Sequence, residues 1–159
     1  MTENHKTKTL IGRAEKVTFP QLGDLILYAR IDTGAKTSSI WATDIKETKD
    51  GLSVRFASIH HEVYAHESIF PHYDRVRVAS SMGHEQIRYK IKMPIRLGGR
   101  RIIASFTLAD RGTQVYPVLI GRSTLAGKFI VDVTKGSPLK YLEDIRSAEL
   151  QKNVIEEHV

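Results

Sequence analysis

Ile87, Tyr89, Ile91 and Met93 alternate with Arg88, Lys90 and Lys92. A period of two suits a half-buried strand with one apolar and one basic face, and no helix can satisfy it. The same alternation runs through Leu52, Val54 and Phe56 against Ser53, Arg55 and Ala57, and through Val76 and Val78 against Arg75 and Arg77. Turn signals punctuate these runs: Asp50-Gly51 precedes the first, and Gly98-Gly99 separates Ile95–Leu97 from Ile102–Leu108. Ser80–His84 reads as a hairpin tip. Leu25–Ile31 and Val115–Ile120 read as largely buried strands and Phe129–Val133 as a further one. Helical signals are confined to Ser123–Gly127 and Leu142–Ile155. The expectation is a mostly-β barrel or sandwich with one short helix and a C-terminal helix.

With 159 residues the chain has the size of one domain. Residues 1–9 are expected to be a flexible tail, 10–139 the domain and 140–159 a helical C-terminal tail. No apolar run nears the roughly 20 residues of a membrane helix, and Met1–Thr9 lacks the apolar core of a secretory signal. The absence of cysteine removes disulfides, thiolate metal sites and thiol nucleophiles together. A cytoplasmic location follows as the expectation.

The net charge of +6 is unevenly placed. Residues 140–159 hold three basic and five acidic side chains, a net −2, so 1–139 carry +8. Arg75–Arg101 alone holds eight basic residues against Glu85, a local +7. A run of charge is often no more than a solvated face. A functional reading must name the anion that meets it.

The sharpest local feature is Ile31-Asp32-Thr33-Gly34-Ala35, an apolar strand ending in an acid, a hydroxyl and a glycine. An acid there serves equally well as a turn cap that accepts nearby backbone N–H groups. A second apolar run ends similarly at Val118-Leu119-Ile120-Gly121-Arg122. At these two places the chain resembles the retropepsin-like aspartic peptidases. A closer resemblance, to a prokaryotic group labelled "ATP-dependent zinc protease" and built on the retropepsin fold, covers Ile11 to Pro138. It is carried by Ile11-Gly12-Arg13, Ile31–Ser38, Arg75–Ser81, Gly83, Glu85, Arg88, Leu108, Asp110-Arg111 and Leu119–Arg122.

The resemblance implies a closed retropepsin-like β-barrel. It places Asp32 on the catalytic aspartate, Thr33 on the residue that bonds across to a partner loop, and Gly34 on the one whose backbone approaches substrate. Two aspartates sharing one proton can activate a water for attack on a peptide carbonyl and return the proton to the leaving nitrogen. The chain has one Asp-Thr-Gly, so this chemistry requires a homodimer with Asp32 donated by each copy. The hairpin carrying Ser80, Ser81 and Gly83 is then the flap, and Ala35, Lys36, Arg75, Arg77, Arg88, Arg111 and Arg122 line the substrate channel. Such a rim selects an acidic, glutamate-rich polypeptide. The closer group also implies a link to ATP-grasp ligases that append glutamates to ribosomal protein. Lys36 stands where viral retropepsins place an acid, leaving Arg122 without that partner, and Trp41 stands where members of the closer group often have histidine.

The labels of that group meet the residues unevenly. His60, His61, His66 and His72 cluster with Glu62 and Glu67, but neither spacing matches H-E-x-x-H, and they read as loop histidines with no metal. No phosphate loop exists, and Gly98-Gly99 opens no helix, so no ATP site or other cofactor is expected. The alternatives to a peptidase are a non-catalytic module that holds an acidic protein or ribosomal RNA, and, further off, a zinc hydrolase. Only Tyr89 interleaves the basic strand, so base stacking would be sparse and nucleic acid is the weaker partner.

Overall fold

The structure is a computed structural model that describes residues 7–56, 67–79 and 82–157. Eleven strands are found there: β1 (Thr9–Ile11), β2 (Ala14–Phe19), β3 (Leu25–Ile31), β4 (Ser38–Thr48), β5 (Gly51–Phe56), β6 (Ser68–Phe70), β7 (Asp74–Ala79), β8 (Glu85–Leu97), β9 (Arg100–Ala109), β10 (Val118–Ile120) and β11 (Phe129–Val131). Two α-helices join them, α1 (Arg122–Leu125) and α2 (Lys140–Glu157).

The main sheet runs β10-β3-β2-β8-β9-β4, and β4 pairs back onto β10, which closes a ring of six strands. β5 and β6 extend from β4, and β7 pairs with the outer end of β8. β10 lies parallel to β3, with Ile120 opposite Ile31, and antiparallel to β4, with Val118 opposite Ile40. β1 and β11 form a separate parallel pair.

The period-two pattern decides what fills the ring. Ile91, Met93 and Ile95 of β8 lie opposite Phe106, Ala104 and Ile102 of β9, and all six are buried. Phe19 of β2 reaches across to Phe106, with ring centroids 5.8 Å apart. The two-residue turn between β8 and β9 uses Gly98 and Gly99 at φ +56° and +77°, the left-handed conformation that suits glycine and matches strand twist.

The expected strands and both helices are present, with shifted ends. The strand expected over Val115–Ile120 begins only at Val118, because Tyr116 gives its carbonyl to Arg111 Nε at 3.0 Å instead of to a ladder. β11 stops at Val131, two residues early, where Asp132 caps a turn through the N–H and hydroxyl of Thr134. β1 starts at Thr9, inside the expected tail. β1, β2, β4 and β6 carry no clean alternation and were not legible as strands. α2 has no buried side chain, and no helix in the described residues is long and apolar enough to cross a membrane.

Candidate active site

Asp32 follows the last residue of β3, where its strand is gripped from the side: its N–H donates to Ile120 C=O at 2.8 Å. The side chain then closes the turn. Oδ1 accepts the N–H groups of Gly34 at 2.9 Å and Ala35 at 3.0 Å, while Oδ2 has no hydrogen-bond partner among the described residues. The turn-cap role and an available carboxylate oxygen therefore coexist in one half-buried side chain. Thr33, Gly34 and Lys36 are exposed and Ala35 is half-buried.

The second loop locks onto the first. Arg122 N–H donates to Ala35 C=O at 2.8 Å and Ser123 N–H to Lys36 C=O at 3.0 Å. Beneath them, buried Ser38 Oγ accepts the N–H of Gly121 at 3.1 Å and lies 2.7 Å from Thr124 Oγ1. A Cβ on Gly121 would stand 2.7 Å from the Thr37 carbonyl, so only glycine permits this approach. The guanidinium of Arg122 leans over the acid loop, with Nη1 3.4 Å from Gly34 C=O. It has no carboxylate partner among the described residues, as Lys36 implies.

The basic rim divides. Burial pushes the pKa of the Arg111 guanidinium down, Arg30 and Arg88 add repulsion, and Asp32 pulls the other way, so these four charges share one neighbourhood. Arg75 and Arg77 do not join it. They lie opposite Tyr89 and Ile87, whereas Arg88 lies opposite Val76, which puts Arg88 on the other face of the hairpin. Arg75 is engaged by Glu47, and Arg77 by Glu85 at 3.3 Å. Gly83 is exposed in the turn joining β7 to β8, while Ser80 and Ser81 lie outside the described residues.

Beside the acid loop the expected Arg111 is joined by residues that sequence reasoning missed. Arg13, Arg30, Arg111, Tyr116, Glu143 and Arg146 help line a cavity of about 570 Å³ that also includes Ile31, next to Asp32. Arg13 is brought there because its carbonyl accepts the N–H of Ile31 at 2.9 Å. The available signal was Arg30 itself, a cation in the otherwise apolar end of β3. His60, His61, Glu62 and His66 lie outside the described residues. Among those described, no group of three His, Asp or Glu side chains is placed to hold a metal.

Three comparisons bear on this arrangement. The chain is 32% identical over 148 residues to a protein of Shewanella halifaxensis named "Probable alpha-L-glutamate ligase", and 30% identical over 130 residues to one of the same name from Desulfotalea psychrophila. Those matches take in 90% and 79% of the chain but only 32% and 28% of the relatives, so the chain spans about a third of their length. A crystal structure of a protein of unknown function from Legionella pneumophila superposes with a TM-score of 0.64 at 27% identity, covering 82% of this chain and 97% of that one. The family described as "Retropepsin-like aspartic endopeptidase RimB" matches residues 10–138, which take in the ring, both loops and Asp32. The chain belongs to that RimB-like, retropepsin-like family.

Proposed function

We propose that the chain is an aspartic-type endopeptidase that works as a homodimer, Asp32 of each copy activating water for hydrolysis of an acidic, glutamate-rich polypeptide. The observation that carries this reading is the single Asp32 carboxylate, fixed through Oδ1 with Oδ2 unengaged among the described residues, in a loop pair braced by Ser38. Two such carboxylates brought together cannot both ionise, which gives the acid and the base the reaction needs. Thr33 and Gly34 are then available to the partner loop and to substrate backbone.

The substrate class rests on Arg30 and Arg111, which line the cavity beside Ile31, and on Arg88, whose charge Arg111 feels; none has a carboxylate partner among the described residues. Charge-assisted bonds from guanidinium to carboxylate are the strongest common recognition contact for glutamate. The naming of longer relatives as "Probable alpha-L-glutamate ligase" supports a link to such an enzyme. The non-catalytic reading as an RNA-binding face is weaker, because Arg75 and Arg77 are engaged by Glu47 and Glu85 and Tyr89 packs against the core.

The test compares wild type and Asp32→Asn on acidic and neutral peptides, with oligomeric state measured by sedimentation. Cleavage of acidic peptides by the wild-type dimer alone is expected. Equal cleavage by both variants, or full activity in a monomer, overturns the reading.

A further inference from the structure

Helix α2 is an acidic element laid on a basic body: residues 140–159 carry −2 and residues 1–139 carry +8. None of its side chains is fully buried, though Leu142, Glu143 and Arg146 are half-buried. Glu143 carries its polar contacts with the body. Arg13 Nη1 donates to Glu143 Oε1 at 2.9 Å and lies 3.1 Å from Oε2, and Tyr116 Oη donates to the same Oε1. Tyr116 Oη in turn accepts the N–H of Leu139, just before the helix, at 2.9 Å. The carboxylate thus enters the arginine-lined cavity beside Ile31, where Arg30 and Arg111 also stand.

We propose that this cavity is a binding subsite for a glutamyl side chain, and that Glu143 occupies it in the free chain as an internal stand-in for substrate. The proposal rests on the reading of the chain as a peptidase for acidic polypeptides and names the subsite that would select them. Three features support it. The occupant is itself a glutamate, held by a guanidinium and a phenol as a recognition site would hold it. Arg30 and Arg111 line the same cavity and form no salt bridge to a carboxylate among the described residues, so the cavity has cationic capacity beyond the guanidinium that Glu143 engages. Arg111 also feels the charge of Asp32, which connects the subsite to the candidate catalytic acid. A glutamate chain arriving at the cavity must displace Glu143, and α2 loosens as it does.

The experiment measures binding of an oligo-L-glutamate peptide to the full chain carrying Asp32→Asn, so that hydrolysis plays no part. Adding Glu143→Gln is expected to tighten binding about tenfold, the size of one charge-assisted bond removed from competition. Adding Arg30→Gln should then cancel the gain. Saturating peptide should speed amide exchange over residues 140–146 in the chain that keeps Glu143. The proposal is overturned by unchanged or weaker binding on Glu143→Gln, by an equal gain from the control Glu157→Gln, or by exchange in α2 that the peptide does not alter. Failure of the peptidase reading looks different: cleavage by the wild type that is absent or independent of Asp32, with the binding shifts intact.

Discussion

The hydroxyls of Ser38 and Thr124 lie 2.7 Å apart, both buried, at the point where the strand after the acid loop meets the helix after the second loop. Ser38 Oγ also accepts the Gly121 N–H, and Ser38 C=O lies 3.4 Å from Thr107 Oγ1, so a small polar network stands under both loops. Buried networks of this kind are costly when one member is removed, because the partners keep their need for a bond but not the means.

Ser38→Ala is therefore expected to destabilise the fold by about 1–3 kcal/mol, since the Gly121 N–H and Thr124 hydroxyl are left unpaired. Urea denaturation checks the loss. A change within error of zero would show that the two loops do not depend on the hydroxyl.

Gly121→Ala is expected to do at least as much harm by a different route. Its Cβ would meet Thr37 and Ala35 backbone atoms at 2.7 to 2.9 Å, and neither is the end of a flexible side chain. Overpacking of this sort costs about 1–3 kcal/mol, and thermal unfolding measures it. Peptide cleavage should fall further than stability does, since the strain sits against the acid loop.

Acid should release α2. Burial pushes the Glu143 carboxyl up, but hydrogen bonds from Arg13 and Tyr116, with attraction from Arg30, hold it below the ordinary value of 4.5. A depressed carboxyl stabilises above that ordinary value, and the stabilisation is lost as pH falls through the lower, folded one. Arg30, Arg111 and Arg146 are the other charged groups that line the cavity. Helical circular dichroism should thus drop on acidification below about pH 4.5, and Glu143→Gln should remove most of that dependence. A drop of equal size in the Gln variant would assign it to other carboxylates.

Alkali should act through the other partner. Burial, then the hydrogen bond to Glu143, pushes the Tyr116 phenol from 10.0 up to about 12. The phenol form stabilises fully below the ordinary value, and that contribution is lost as pH rises toward the raised one. A difference titration of wild type against Tyr116→Phe should show the missing tyrosinate at the alkaline end. A missing group at the ordinary tyrosine position would contradict the contact.

The central strands were legible because alternation and burial coincide in β8 and β9, from Ile91 opposite Phe106 to Ile95 opposite Ile102. Asp32 and Gly121 stood out through the resemblance of their two loops to the retropepsin-like pattern, since an acid ending an apolar run serves equally well as a turn cap. β4 was hidden because Ser38 and Ser39 are buried polar residues at its start, and a bulge between Thr43 and Lys46 breaks the period. The split of the basic rim was hidden for a related reason: sequence places Arg75, Arg77 and Arg88 close together, and only the register of β7 on β8 puts them on opposite faces. Glu143 meeting Arg13 joins residues 130 positions apart, and no local pattern announces such a pair.

The pairing of β10 with β3 has a consequence in time. Ile120 lies 89 positions after Ile31 in the chain (120 − 31), and the carbonyl that fixes Asp32 belongs to Ile120. Closing so long a loop is slow relative to forming the β8–β9 hairpin, whose partners are nearly adjacent. During synthesis the acid emerges long before the strand that aims it. The turn that presents Asp32 is thus completed only once Ile120 has emerged, when most of the chain exists.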